Sequence, residues 1–217
     1  MDASPPHLDG RAGPPTSALL ADLAGALEGE HVSVDAILAV LGERAVGLLL
    51  LILALPMCVP NVPGISTIFG LLIIAPAMQL MLAQQKLWLP AQVRAWTVPR
   101  SALNSAIHAA LPFLCRIETF IRPRWVFFIR PPAEQWLGFQ TFVMALVLLL
   151  PIPGGNWPPG ITVAATGLAL AQRDGRLALI TAPLAAISVA VAWLGFRIGM
   201  MVLGQMMDFL AKLLGAT

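Results

Sequence analysis

The stretch LPMCVPNVPGI, residues 55–65, decides the fold, because it breaks an apolar run with prolines, an asparagine and a glycine. A related stretch, LPIPGGNWPPGI, follows at residues 150–161. Proline removes a backbone N–H donor and glycine permits unusual torsions, so a helix that enters either stretch cannot simply continue. We call residues 55–66 the first elbow and residues 150–162 the second elbow.

The two elbows match at several positions, which predicts an internal repeat. Four residues share one constant offset, and three more correspond after a single inserted residue. Short Pro/Gly-interrupted apolar segments at corresponding positions of two halves are typical of transporters that bind substrate where the repeats meet. The matched sets are Leu55-Pro56 with Leu150-Pro151, Asn61 with Asn156, Pro63 with Pro158, and Gly64-Ile65-Ser66 with Gly160-Ile161-Thr162.

The apolar runs around the elbows are short for a membrane span. Residues 45–59 and 137–150 give fifteen and fourteen residues before the break, whereas a spanning helix needs about 20. A second apolar run follows each elbow, at residues 65–83 and 161–171. This order predicts a re-entrant hairpin or a broken helix in each half. The alternative is a pair of ordinary spanning hairpins whose proline loops lie in water on the far side.

The composition places the chain among membrane proteins. Of its 217 residues, 58% are hydrophobic and 11% are charged, far from the average of soluble domains. We therefore predict an all-α, polytopic membrane protein with a disordered tail at residues 1–16 and one membrane domain at 17–217. Its repeated halves are about 17–100 and 101–217. Amphipathic helices are predicted at residues 17–28, 33–41 and 102–121, and 177–214 could form one long helix or two that turn near residues 195–199.

Charge is unevenly distributed along the chain and predicts the topology. Residues 1–44 are rich in acids, whereas residues 86–130 are basic. Arginine-rich segments favour the cytoplasmic side of the inner membrane, and a hairpin that enters and leaves returns the chain to that side. We expect the N-terminus and the basic middle to be cytoplasmic. The basic residues are Lys86, Arg94, Arg100, Arg116, Arg122, Arg124 and Arg130.

The elbows also predict a binding site for an anion. If their second arms begin inside the membrane, two helix N-termini direct free N–H groups and positive dipole ends into one cavity. The asparagines could add amide donors, although Asn is equally suited to forming a turn. Arg197 could either extend to the membrane interface or point into the cavity. The predicted substrate-binding residues are Asn61, Gly64, Ser66, Asn156, Gly160, Thr162 and Arg197.

An enzyme is not predicted. The sequence contains no metal-ligand spacing, phosphate-binding loop or nucleotide fingerprint, so we expect no catalytic residue, cofactor or metal, and no nucleic-acid partner. Residues 45–85 and 137–172 hold no charged side chain, and a proton-coupled carrier usually has a buried carboxylate. Small residues in 185–199 would let helices approach closely, which suggests a homodimer.

Six segments occur along the chain in a fixed order: GERAVGLLLLILALP (42–56), NVPGISTIFGLLI (61–73), KLWLP (86–90), RPRW (122–125), LLLPIPGGNWPPG (148–160) and RDG (173–175). Together they resemble the ExoD family of bacterial exopolysaccharide-synthesis membrane proteins. This resemblance extends from about residue 17 to the end of the chain, although LAQQ precedes LWLP where a glycine is expected. It implies an inner-membrane protein needed for normal exopolysaccharide production and linked to growth at alkaline pH, and it carries over no catalytic residue.

The elbow pattern also resembles, by architecture alone, the re-entrant hairpins of the DedA family, which handles polyprenyl-phosphate carriers. Three classes of function follow. The first is a translocase of a lipid-linked phosphate, such as a polyprenyl phosphate, or of another small anion. The second is a cation or proton antiporter, and the third is a non-transporting membrane scaffold for polysaccharide synthesis.

Overall fold

A computed structural model of the chain describes residues 18, 30–58, 64–84, 91–120, 125–150 and 156–213. The described part is mostly helical, as predicted, and has one small addition. Strands β1 (His31–Ser33) and β2 (Thr97–Pro99) form an antiparallel pair in which Val32 lies opposite Val98. The helices are α1 (Val34–Leu41), α2 (Ala45–Ala54), α3 (Ile65–Met81), α4 (Ala91–Arg94), α5 (Arg100–Phe120), α6 (Ala133–Leu149), α7 (Trp157–Gln172) and α8 (Gly175–Leu213).

Local sequence explains where several helices begin and end. The Ser33 hydroxyl caps α1 by accepting a hydrogen bond from the Ala36 N–H at 3.2 Å, as Ser does at helix starts. A short 3-10 helix, Leu55–Cys58, continues α2 into the first elbow. Gly64 precedes α3 with φ at +105°, a torsion that favours glycine. The predicted amphipathic helices at 33–41 and 102–121 correspond to α1 and α5, whereas that at 17–28 lies almost wholly outside the described residues.

Four helices around the elbows form the core. Helix α2 packs mainly on α7, and α3 packs mainly on α6. The helix before the first elbow therefore contacts the helix after the second elbow, and the helix after the first elbow contacts the helix before the second. Both contacts are antiparallel, and large apolar side chains fill the space between the helices. The fully buried ones are Leu50, Met57, Ile73, Met144, Leu148 and Val163.

Glycines allow the backbones of these helices to touch. A Cβ atom on Gly47 would lie 2.7 Å from the Gly167 carbonyl oxygen, and one on Gly167 would lie 2.6 Å from the Leu51 nitrogen. On the other pair of helices, a Cβ atom on Gly70 would lie 3.0 Å from the Ala145 carbonyl oxygen. Close backbone approach at small residues is the usual way in which helices associate in membranes.

Two helical segments are long and apolar enough to cross a membrane on length and composition, residues 34–58 and 175–212. Helices α3 and α6 have 17 residues each and α7 has 16, which is less than the roughly 20 of a complete span. The last segment forms a single continuous helix of 39 residues, α8. Of the two alternatives predicted for residues 177–214, the structure therefore has the single long helix.

Candidate functional site at the two elbows

The two elbows lie at the same end of the four-helix core and contact each other. The Asn156 side chain donates a hydrogen bond from Nδ2 to the Ser66 hydroxyl at 2.6 Å. Beside it, the Thr67 hydroxyl donates to the carbonyl oxygen of Leu149 at 3.3 Å. These contacts join the start of α3 to the second elbow. Asn156 and Ser66 occupy non-equivalent positions of the sequence repeat, so the repeat did not predict that they pair with each other.

The hydrogen bond between Asn156 and Ser66 lies in the interior of the protein. Asn156 is only 8% exposed and Ser66 is fully buried. The Asn156 Oδ1 atom is also buried, and it has no hydrogen-bond partner among the described residues. A buried amide oxygen without a partner is energetically unfavourable, so this atom is available to a donor group of a ligand or water.

The start of α7 is packed tightly against the first elbow. A Cβ atom on Gly160 would lie 2.6 Å from the Met57 Cβ and 2.7 Å from the Met57 carbonyl oxygen. Gly160 is therefore required by close contact between the two elbows. Gly64 differs, because no atom of the described residues lies within 4 Å of a Cβ placed there, and its positive φ is the constraint.

Hydroxyl groups continue from the second elbow into the core. The Thr162 and Ser188 hydroxyls are 2.9 Å apart, which links α7 to α8. Thr162 also donates to the Pro158 carbonyl oxygen at 3.0 Å, and the Thr166 hydroxyl donates to the Thr162 carbonyl oxygen at 2.9 Å. All three hydroxyl side chains are fully buried. They form a polar strip within an otherwise apolar core.

The two helix starts differ in the backbone donors that they offer. Helix α3 begins with three residues that each carry an N–H, Ile65, Ser66 and Thr67, and no side chain caps it. The first N–H groups of a helix have no partner within the helix. In α7, Pro158 and Pro159 carry no N–H, and the Gly160 N–H bonds the Asn156 carbonyl oxygen at 3.2 Å. The α3 start is therefore the stronger donor site of the two.

Two predicted site residues remain, Arg197 and Asn61. Arg197 lies on α8, and its guanidinium carbon is 5.2 Å from the centre of the Trp193 ring. Asn61 falls in residues 59–63, outside the described part of the chain. The structure thus brings together Ser66, Asn156 and the start of α7, and it adds Ser188 and Met57, which the sequence pattern did not indicate.

The opposite end of the core, which we call the base, carries an ion pair. Glu43 precedes α2 and contacts Arg173, which follows α7. The Asp174 carboxylate caps α8 by accepting from the Arg176 N–H at 2.8 Å. The Arg176 guanidinium lies over the Trp125 ring, 5.2 Å from its centre. The RDG segment therefore ends one core helix, begins the next and anchors both to preceding segments.

The described residues offer no group of three or more His, Cys, Asp or Glu side chains that could hold a metal ion. The polar groups of the described elbow residues include hydroxyls, the Asn156 amide and backbone N–H groups. Such groups bind and orient a ligand by hydrogen bonding.

Comparisons with known proteins identify one matching family and two similar proteins. A family model described as "Exopolysaccharide synthesis, ExoD" matches residues 16–194. The uncharacterized protein slr1875 of Synechocystis is 32% identical over 188 residues, which cover 84% of this chain and 89% of that protein. Protein ExoD of Rhizobium meliloti is 26% identical over 163 residues, covering 73% of this chain and 68% of its own length. No solved structure matches the chain.

Proposed function

Starting from the fact that the chain belongs to the ExoD family of exopolysaccharide synthesis, we propose that it is a multi-pass protein of the bacterial inner membrane that moves a lipid-linked phosphate or another small anion. The substrate would bind where the two elbows meet. Polysaccharide assembly on a lipid carrier releases a lipid phosphate that must be returned across the membrane. A protein in this role needs a polar site for the phosphate within an apolar surround.

The hydrogen bond between Asn156 and Ser66 is the observation that carries the proposal. It joins residues 90 positions apart in the sequence, one from each half, and both are buried. Loops that simply turn in water have no need of a buried contact between them. Irregular backbone at membrane depth is tolerated where it is buried in protein or lines a polar cavity.

The charge and donors of the α3 start favour an anion. The N-terminus of a 17-residue helix carries a partial positive charge, and N–H groups in the first turn of a helix can bind phosphate oxygens. The Ser66 hydroxyl is placed at this helix start and can donate as well as accept. No atom of the described residues lies within 4 Å of a Cβ placed on Gly64, which precedes these donors.

The Asn156 amide can serve either kind of ligand atom. In the structure Nδ2 faces Ser66 and Oδ1 has no partner among the described residues, which suits a donor such as a ligand hydroxyl. If the amide turns by 180°, the Ser66 hydroxyl donates to Oδ1 and the two Nδ2 protons become available to a phosphate oxygen. The Asn156 side chain could thus donate to a phosphate oxygen in one orientation and accept from a neighbouring ligand hydroxyl in the other.

The distribution of carboxylates favours this class over an antiporter. Residues 45–85 and 137–172, which contain most of the four core helices, include no Asp or Glu. Proton or cation coupling within the membrane usually uses a buried carboxylate. The scaffold alternative predicts no transport activity, so transport assays distinguish it from the other two classes.

The test uses the purified full-length protein in liposomes and two separate assays. One assay follows transbilayer movement of a fluorescent polyprenyl phosphate, and the other follows cation flux driven by a pH gradient. We expect activity in the first assay, reduced by Ser66→Ala and by Asn156→Ala. Thr141→Ala is the matched control, because it removes a buried hydroxyl that bonds its own helix, at 2.7 Å to the Leu137 carbonyl oxygen.

The outcomes separate the three classes of function. Movement of the labelled lipid that survives both elbow substitutions would disprove a site at the elbows. Cation flux alone would support the antiporter. A folded protein that is inactive in both assays would support the scaffold and contradict the proposal.

A further inference from the structure

Helix α8 continues well beyond the core on which it packs. Its buried residues are spaced as one face of a helix and end at Ala192. The pairing of Thr162 with Ser188 fixes the register of α7 against α8. Because these consecutive helices run antiparallel, the start of α7 at Trp157 lies level with about residue 193 of α8. Residues 194–213 therefore project past the elbow end of the core, and we call them the α8 extension.

The extension is too long to continue straight across the same bilayer. All 39 residues of α8 measure about 58 Å at 1.5 Å per residue, against a hydrocarbon thickness of about 30 Å. The part of α8 that packs on the core already uses most of that thickness. A collinear extension would carry its apolar side chains into water, which is strongly unfavourable.

Residues 196–210 of the extension are all exposed, but their polar and apolar side chains are not distributed evenly. At 100° per residue, its four most polar side chains fall within an arc of about 80°, which also contains Leu194 and Met201, and apolar side chains occupy most of the remaining circumference. A helix with a narrow polar arc and a wide apolar face is typical of segments that lie in the membrane interface. The polar residues are Arg197, Gln205, Asp208 and Lys212, and the exposed apolar residues include Phe196, Met200, Val202, Leu203, Met206, Met207, Phe209 and Leu210.

Glycines lie at the point where the helix leaves the core. Gly195 and Gly199 lie just after the last buried residue, and nothing lies within 4 Å of a Cβ placed on Gly199. Glycine has a low helix propensity and is a common site of helix bending. The family match also ends here, at residue 194. The sequence and the packing thus divide α8 at the same place.

From these observations we infer that, in a bilayer, α8 bends at Gly195–Gly199 and residues 200–213 lie along the membrane interface at the elbow end. Their apolar face enters the lipid, and the polar arc faces the headgroups and water. The occupant of this exposed apolar surface is therefore lipid. This placement is independent of whether the elbows transport a substrate.

A second copy of the chain fits the extension less well than lipid does. Two copies inserted in the same direction and paired through the polar arcs of parallel α8 extensions would place Arg197 beside its own equivalent and Asp208 beside its own equivalent. Like charges at close range oppose such a pairing. A pairing through the apolar faces would cover only part of an apolar surface that extends around most of the helix, so lipid would still contact the rest. An antiparallel pairing would join Arg197 to Asp208 of the other copy, but it requires extensions that leave the bilayer or a copy inserted in the opposite direction.

The test compares neighbouring positions of the extension in a full-length chain that carries Cys58→Ser and Cys115→Ser. Single cysteines are introduced at Gln205 and Lys212 on the polar arc and at Leu203 and Leu210 on the apolar face. All four side chains are exposed, so their replacement removes no core contact. The protein is reconstituted in liposomes of phosphatidylethanolamine and phosphatidylglycerol.

We expect an impermeant maleimide to label the polar-arc cysteines several times faster than the apolar-face cysteines. A fluorophore attached at Leu203→Cys or Leu210→Cys should be quenched by spin-labelled acyl chains, and one at Gln205→Cys should be quenched much less. Equal rapid labelling of all four positions would place the extension in water. Slow labelling of all four with uniform quenching would indicate a membrane span. Disulfide formation between two copies, through cysteines on either face, would indicate a dimer contact. Each of these results would overturn the inference.

Discussion

The Asn156 amide lies 2.6 Å from the Ser66 hydroxyl and joins the two elbows in the interior of the protein. The two residues belong to different elbows and are 90 positions apart in the sequence. The contact therefore depends on the arrangement in which α2 packs on α7 and α3 packs on α6. Its consequences for stability and for transport can be measured separately.

The first prediction concerns the coupling of these two side chains. Ser66→Ala and Asn156→Ala should each lower the free energy of unfolding by about 1–3 kcal/mol, because each leaves a buried polar partner unpaired. The double substitution should cost less than the sum of the two. Unfolding in detergent measures all three variants. Additive losses would indicate that the two side chains do not interact.

The second prediction concerns the glycine contact between α2 and α7. Gly167→Ala places a Cβ atom 2.6 Å from the Leu51 backbone nitrogen, so the helices must separate. We expect a loss of about 1–3 kcal/mol or more. Gly199→Ala is the matched control, because a Cβ atom there meets nothing within 4 Å.

In the same thermal unfolding assay, the control should be neutral or slightly stabilising, since Ala favours helix over Gly by up to about 1 kcal/mol. Equal effects of Gly167→Ala and Gly199→Ala would contradict the observed helix contact.

The third prediction concerns the cap of α8. Asp174→Ala should destabilise the protein by about 0.5–2 kcal/mol, because the carboxylate accepts from the Arg176 N–H at the helix start. Asp174→Asn should retain most of the stability, since Asn also caps helices. If the two variants lose the same amount, the negative charge and not the cap is the important feature. Chemical denaturation monitored by tryptophan fluorescence is suitable for this comparison.

The fourth prediction concerns topology. Arg100 begins α5 within the basic middle of the sequence, which we expect on the cytoplasmic side. In a chain with Cys58→Ser and Cys115→Ser, Arg100→Cys should not react with an impermeant thiol reagent added outside intact cells. It should react once the membrane is opened. Labelling in intact cells would show that Arg100 lies outside and that the predicted topology is wrong.

Much of this architecture could be predicted from the sequence, because the periodicity and the prolines are local signals. The breaks at residues 55–66 and 150–162, the helices on each side and the amphipathic helix at residues 33–41 all follow from neighbouring residues. The small β1–β2 pair could not be predicted, because two three-residue strands far apart in the chain have no local signature.

The site itself was predicted less completely. The sequence repeat pointed to Ser66, Asn156, Gly160 and Thr162, but it could not show that Asn156 bonds Ser66 and that Gly160 packs on Met57. Those contacts depend on which helix packs on which. The donors of α7 are fewer than those of α3, since Pro158 and Pro159 lack an N–H. This difference can be found in the sequence once the helix start is known.

The most direct test of the central claim is disulfide formation between the elbows in native membranes. Ser66→Cys and Asn156→Cys are combined in a chain with Cys58→Ser and Cys115→Ser, and mild oxidation is followed by a gel shift after proteolysis between the halves. If the elbows form one ligand site, the disulfide should form rapidly, and a polyprenyl phosphate should slow it. Absence of the disulfide, together with ready labelling of both single cysteines by an external impermeant reagent regardless of added lipid, would contradict a shared site.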